Sequence, residues 1–87
     1  MSERANDELV AAFTAAFAAR LREAIGTRSM RSVAESVGLN HTTVSRLVRG
    51  ERVPDAVTIW MLEGALDADL WPSSQHRRTF GVAKPKT

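Results

Sequence analysis

Residues 30–49 read MRSVAESVGLNHTTVSRLVR and contain the most informative pattern in the chain. Ser29, just before it, and Asn40, within it, are residue types that cap the N-termini of helices. Gly38 is the residue type that ends helices in the left-handed conformation. The stretch therefore predicts two short helices joined by a tight turn. Helices packed at the steep angle of such a turn need a small residue at their crossing, and Ala34 stands there.

The second helix of this pair, predicted from residue 41 to about residue 49, has an apolar side and a polar side. Each residue of an α-helix turns by about 100°, which places Val44, Leu47 and Val48 together. The opposite side carries hydrogen-bond donors and no acid, namely Thr42, Ser45, Arg46 and Arg49. Such a donor-rich front suits the major groove of DNA, whose base edges present acceptors. A solvated surface helix can show the same pattern, so the preceding turn is what favours the DNA interpretation.

The flanking segments also predict helices, whereas no segment alternates as a half-buried strand does. Residues 7–25 carry an apolar side chain at every fourth position in an alanine-rich background. This pattern predicts a long first helix that ends at Gly26. Asp55 predicts the start of a fourth helix that runs to about Leu66. Residues 67–72 predict one further short helical turn, which gives an all-α fold of five helices with an extended first helix.

Length and composition limit what this chain can be. Its 87 residues allow one small core, which we assign to residues 1–72, followed by a basic tail over residues 73–87. The absence of cysteine excludes disulfides and thiolate chemistry. No apolar run approaches the length of about 18 residues that indicates a membrane span, and the polar start does not fit a signal peptide. We therefore expect a cytoplasmic protein.

The charges are unevenly distributed along the chain. Residues 26–54 carry five basic and two acidic side chains, whereas residues 55–72 carry four acidic and no basic ones. Residues 73–87 carry four basic side chains and no acidic one. The positive excess around the predicted turn favours a polyanionic partner, provided that the arginines share one face.

Residues 17–71 resemble the lambda-repressor/Cro-like (XRE-type) helix-turn-helix domain, a compact five-helix DNA-binding fold. The resemblance extends beyond the turn, because residues 44–54 are similar to the end of that family's recognition helix and its Gly-X-X-X-Pro loop. Residues 55–66 resemble its fourth helix. The core positions of that helix are filled by Ile59, Leu62 and Leu66.

The resemblance implies double-stranded DNA as the partner, bound through the major groove, without a cofactor, a metal ion or a small-molecule ligand. Six residues stand where the family reads bases: Asn40, His41, Thr42, Thr43, Ser45 and Arg46. Arg46 is the first candidate for a bidentate contact with guanine, which is worth about 1–3 kcal/mol of discrimination. Five residues are implied as contacts to backbone phosphates: Arg28, Ser29, Arg31, Arg49 and Arg52.

Two features depart from the family pattern. Met30 stands where the family often has a glutamine that contacts phosphate and braces the recognition helix, so that contact is lost or moves to Arg31. Residues 1–8 are partly acidic, although lambda-type repressors can carry a basic arm there. The basic segment of this chain is at the other end. We hypothesise that its cations add backbone or minor-groove contacts, the alternative being a solubilising tail: Arg77, Arg78, Lys84 and Lys86.

The fourth helix has more apolar residues than one core-facing side requires. Val57, Trp60 and Met61 form a second apolar face, and a helix that is apolar all round is expected to be buried on both sides. Either the extended first helix covers this face, or a second subunit does. A homodimer would fit DNA binding, because a two-fold protein matches a palindromic operator.

We expect no enzyme, because the two histidines, His41 and His76, are far apart and no acidic spacing suggests a metal site or a catalytic triad. The predicted function is that of a sequence-specific transcriptional regulator in a bacterial cell or a phage-infected host. Its small size favours a repressor that resembles a phage Cro or immunity repressor. The alternative is a protein-interaction module of the same fold, such as an antitoxin-like partner-binding domain, since fold alone does not determine function.

Overall fold

The computed structural model describes residues 3–72, with side chains from Asn6 onward. Within this part of the chain there are four helices and no strand. Their bounds are α1 Glu3–Ile25, α2 Met30–Val37, α3 His41–Val48 and α4 Ala56–Leu66. The predicted all-α class is confirmed. The predicted tail and its four cations lie outside the described residues.

Helix α1 starts at Glu3, four residues earlier than predicted, and ends as predicted before Gly26. No glycine or proline interrupts this segment, so nothing in it breaks a helix of 23 residues. Gly26 has a φ angle of +58°, and its N–H donates to the carbonyl of Arg22 at 3.1 Å. The left-handed conformation that glycine adopts at low cost therefore ends the helix.

The turn between α2 and α3 is built by the residues that predicted it. Ser29 caps α2, with its Oγ accepting the N–H of Ser32 at 3.0 Å. Gly38, with a φ angle of +71°, ends α2, and the N–H of Leu39 donates back to the carbonyl of Ala34 at 2.9 Å. These bonds satisfy backbone groups that a helix end leaves unpaired, so the turn is specified locally.

The core lies where the four helices meet. Helix α3 packs against both α1 and α2, and α2 also packs against α4. Buried side chains from every helix form one cluster, which also includes a residue after α4: Phe17, Leu21, Ile25, Val33, Ala34, Val44, Leu47, Val48, Ile59, Leu62, Leu66 and Leu70. Because α3 supplies three of these side chains, its orientation is fixed by the core rather than by a loop.

The predicted fifth helix is wrong, because residues 67–72 form no helix. Asp67 has a φ angle of +51°, which ends α4 in the left-handed conformation. The N–H groups of Leu70 and Trp71 then donate to Oε2 of Glu63, at 2.9 and 3.2 Å. A carboxylate one turn back in α4 thus binds backbone donors that a helix would direct to its own carbonyls. The segment remains irregular and inserts Leu70 into the core.

This segment also contacts α1. The rings of Phe13 and Trp71 pack edge to face with their centroids 5.6 Å apart, and Arg20 Nη1 donates to the carbonyl of Asp69 at 3.4 Å. Helix α1 does not cover the outer face of α4, where Val57 is 63% and Trp60 74% exposed. We expected either the extended first helix or a second subunit to cover that face, and the first helix is therefore excluded.

Candidate nucleic-acid interface

Helix α3 presents its polar side to solvent. Its apolar side is fully packed, because Val44, Leu47 and Val48 are buried. Of the residues expected to contact bases, Thr43 and Ser45 are half-buried, and the other four are exposed: Asn40, His41, Thr42 and Arg46. The exposed side of α3 carries a guanidinium, hydroxyls and an imidazole, and α3 contains no acidic residue. These groups can donate hydrogen bonds to acceptors on base edges.

Asn40 has a structural role at the start of α3. Its Oδ1 accepts the N–H of Thr42 at 2.8 Å and so caps the helix. A bidentate contact with adenine uses both the oxygen and the nitrogen of an asparagine amide. While Asn40 caps α3, one lone pair of its Oδ1 is occupied by the N–H of Thr42, and its Nδ2 keeps both N–H groups for a ligand.

The N-terminus of α2 gathers three of the residues expected to contact phosphate. Ser29 is the cap of the helix, and Arg28 and Arg31 are exposed on either side of it. The first N–H groups of a helix and its macrodipole both favour an anion at this end. Met30 is half-buried and packs against the core. Its thioether therefore takes no part in this group of polar side chains.

The loop after α3 holds the other two arginines expected to contact phosphate. Arg49 and Arg52 are exposed, and Arg49 Nε lies 3.2 Å from Oε2 of Glu51. Both arginines line a cleft of about 520 Å³ between this loop and α1. The five expected phosphate contacts therefore lie on two segments of the chain, the start of α2 and the loop after α3.

Arg22 supports this region and was not predicted from the sequence. Its Nη1 donates to the carbonyl of Val48, the last residue of α3, at 2.6 Å. A cation at the C-terminus of a helix also complements the macrodipole. The two residues are 26 positions apart, so no local pattern in the sequence could indicate the bond.

Asp55 caps α4 next to the same loop. The N–H of Thr58 donates to its Oδ1 at 2.7 Å. Hydrogen bonds from the N–H and hydroxyl of Thr58, aided by the charge of Arg52, hold the pKa of the Asp55 carboxyl below its ordinary value of 3.8. The predicted start of α4 is confirmed with its cap.

Comparison with known families identifies the domain. A family model described as helix-turn-helix matches residues 19–70, more than half of the chain. The chain belongs to the XRE-type, lambda-repressor/Cro-like helix-turn-helix family. This is a family of DNA-binding transcription regulators. In the searches of curated proteins and of solved structures, nothing gives a significant match.

The matched segment coincides with the packed part of the fold. It starts in the second half of α1 and ends at Leu70, the buried residue that follows α4. The first half of α1 lies outside it. None of the four described helices is long and apolar enough to cross a bilayer. Over residues 3–72, histidine and acidic side chains do not gather into a group that could hold a metal ion.

Proposed function

We propose that this helix-turn-helix protein is a sequence-specific repressor of transcription, of the phage immunity-repressor or Cro type, and not an enzyme. It would act on double-stranded DNA in the cytoplasm of a bacterial cell. The observation that carries the proposal is the outward side of α3, on which hydrogen-bond donors are exposed while the opposite side is locked into the core. A helix that is packed on one side and exposed on the other can enter the major groove without a conformational change.

Recognition would divide between base and backbone contacts. Arg46, exposed in the last turn of α3, would donate to O6 and N7 of a guanine. Thr42 and Thr43 would offer hydroxyls to bases or phosphates and methyl groups to thymine, with His41 and Ser45 beside them. The two groups of arginines, with Ser29 at the N-terminus of α2, would bind the phosphates on either side.

Repression would follow from occupancy. A domain of this size covers a short stretch of duplex, and a promoter covered at that stretch cannot be occupied by polymerase. The free energy of binding would come largely from phosphate contacts, whereas the choice of site would come from the few side chains of α3. Affinity should therefore fall steeply with salt while the preferred sequence stays the same.

Selection from random duplex DNA tests the proposal. The wild-type protein should enrich a defined sequence, and Arg46→Ala should lose the preference at one base position by about 5- to 150-fold. As a matched control, Arg31→Ala should weaken binding to all sequences alike and reduce the salt slope by about one unit. Both variants remove one exposed arginine, so a difference between them reports on base recognition.

Two results would contradict the proposal. A wild-type protein that enriches no sequence would favour the interaction module, which should bind duplex DNA no better than other basic proteins of its size. Equal and uniform losses for Arg46→Ala and Arg31→Ala would show that α3 contacts only the backbone.

A further inference from the structure

The outer face of α4 is an apolar surface without a cover among the described residues. Val57 and Trp60 are largely exposed, and Met61 is half-buried beside them. Next to Trp60 a groove of about 690 Å³ runs between α2 and α4. We call it the α4 groove, and its lining residues are Ser36, Val37, Trp60, Met61, Glu63, Gly64 and Ala65. A helix as apolar as α4 normally buries such a face.

The floor of the α4 groove has room for a side chain. Gly64 lies one helical turn after Trp60, and a Cβ atom added to Gly64 would meet nothing within 4 Å. The indole of Trp60 can therefore pack against a ring placed over Gly64. An aromatic pair of this kind is worth about 0.5–1.5 kcal/mol beyond its buried area.

Within the part of the chain that the structure describes, the one charged side chain that lines the α4 groove is acidic. This residue is Glu63, and the segment 55–72 to which it belongs contains four acidic residues and no basic one. Residues 73–87 have the opposite character, with four basic side chains and no acidic one. Between the basic pairs of that segment stand Phe80, Gly81, Val82 and Ala83, so its apolar centre is flanked by cations.

The chain leaves the described part of the molecule close to the α4 groove. The N–H of Trp71 lies 3.2 Å from Oε2 of Glu63, which itself lines the groove. An extended chain advances about 3.3–3.6 Å per residue, so Phe80 can reach any point within roughly 26 Å of Pro72. A segment tethered this close meets the groove at an effective concentration in the millimolar range.

A second copy of the chain fits this face less well. The exposed parts of Val57 and Trp60 amount to on the order of 300 Å², since a whole aromatic side chain contributes about 150–250 Å². A stable interface buries about 800 Å² on each partner. A two-fold contact would also bring the acidic residues of one α4 segment toward those of the other. A short basic segment with an apolar centre suits both the size and the charge.

We propose that residues 73–87 dock in cis on the α4 groove, with the ring of Phe80 over Gly64 and against Trp60. Arg77, Arg78, Lys84 and Lys86 are then attracted by Glu63 and the other acidic residues of the segment 55–72. This inference goes beyond DNA recognition and does not depend on it. It assigns the basic segment to the domain's own surface instead of the DNA backbone.

Quenching of Trp60 fluorescence by acrylamide tests the docking in the full chain. A Trp71→Phe background leaves Trp60 as the only tryptophan and retains an aromatic ring beside Phe13. In that background Phe80→Ser should raise the quenching constant of Trp60 at least about twofold, whereas the matched tail control Thr79→Ser should leave it unchanged. Raising the salt concentration should act in the same direction as Phe80→Ser, because the pairing is electrostatic.

A variant on the groove side makes the test independent of the tail. Gly64→Lys places a cation in the groove and improves helix propensity, so the fold is retained while the basic segment is repelled. It should expose Trp60 as Phe80→Ser does. Equal quenching in all variants overturns the proposal. So does protection of Trp60 that survives Phe80→Ser and grows with protein concentration, which would identify a second copy as the cover.

A DNA titration distinguishes docking of the basic segment on the α4 groove from contacts with DNA phosphates. Replacing Arg77 and Arg78 by glutamine should leave the salt dependence of DNA binding unchanged. A slope that flattens by about two units would place both arginines on backbone phosphates and overturn the docking. The fluorescence measurement contains no DNA, so failure of the proposed function would not alter its result.

Discussion

Arg49, which we propose as a contact to backbone phosphate, already has a partner on the protein surface. Its Nε lies 3.2 Å from Glu51, and both side chains are more than half exposed. Such a surface pair is worth about 0.2–1 kcal/mol, and it competes with a phosphate for the same guanidinium. Glu51→Gln should therefore tighten binding to duplex DNA by about 1.5- to 5-fold in a fluorescence titration. Glu23→Gln on α1 removes the same charge as a control, and an equal gain there would contradict the role of Arg49.

Asp55 makes the stability of α4 depend on pH. The N–H of Thr58 lowers the pKa of Asp55 in the folded state below 3.8, so its charged form stabilises the fold. This stability is complete above the ordinary pKa and is lost as the pH falls through the lower, folded-state pKa. Asp55→Asn retains a capping oxygen and cannot ionise. In thermal unfolding between pH 6 and pH 2, wild type should lose its advantage over Asp55→Asn only below about pH 4. A difference in unfolding temperature between the two proteins that stays constant over this pH range would show that the ionisation of Asp55 does not affect stability.

Substitution by alanine should change the free energy of unfolding in opposite directions at two glycines. Gly38 has a φ angle of +71° at the end of α2, a conformation that costs alanine about 1–2 kcal/mol. Gly64 lies inside α4, where alanine is about 0.8–1.0 kcal/mol more favourable than glycine. Urea unfolding should show Gly38→Ala to be destabilised and Gly64→Ala to be stabilised by about these amounts. A common sign would mean that packing rather than backbone conformation controls both positions.

The elements that could be predicted from the sequence are those specified by near neighbours. Ser29, Asn40 and Asp55 each accept an N–H two or three residues ahead, so their caps are visible in the sequence. The irregular segment after α4 depends instead on Glu63, which binds N–H groups seven and eight residues ahead. Its composition resembled a helical turn, and only the folded molecule brings the carboxylate to it.

The candidate interface follows the same rule. Helical periodicity predicts which residues of α3 face outward, because Val44 and Leu47 can satisfy only one side. It does not predict the anchoring of Val48 by Arg22, nor the cleft that Arg49 and Arg52 line against α1, because both depend on the packing of α1. The sequence shows that α4 has more apolar residues than one core-facing side requires. It does not show that the second apolar face is exposed, because that depends on the position of α1.

Leu70 completes the core although it lies outside the four helices. It is fully buried and follows α4 by four residues, held there through the N–H groups bound by Glu63. Leu70→Ala should cost about 2–5 kcal/mol of unfolding free energy, a large part of the roughly 4–13 kcal/mol expected for 87 residues. Urea denaturation measures the loss. Val57→Ala, at an exposed site, is the control and should change little; similar losses at the two positions would contradict this account.

The bond between Arg22 and Val48 has a consequence for how such a domain acquires a new target. The C-terminal end of α3 is held by an arginine of another helix, whose bond goes to a backbone carbonyl of α3 and not to one of its outward side chains. In the proposed complex, exchanges at Thr42 or Arg46 would therefore alter the preferred base sequence while this bond stays in place. Base preference and the orientation of α3 would thus depend on different residues, so that one could change in evolution without disturbing the other.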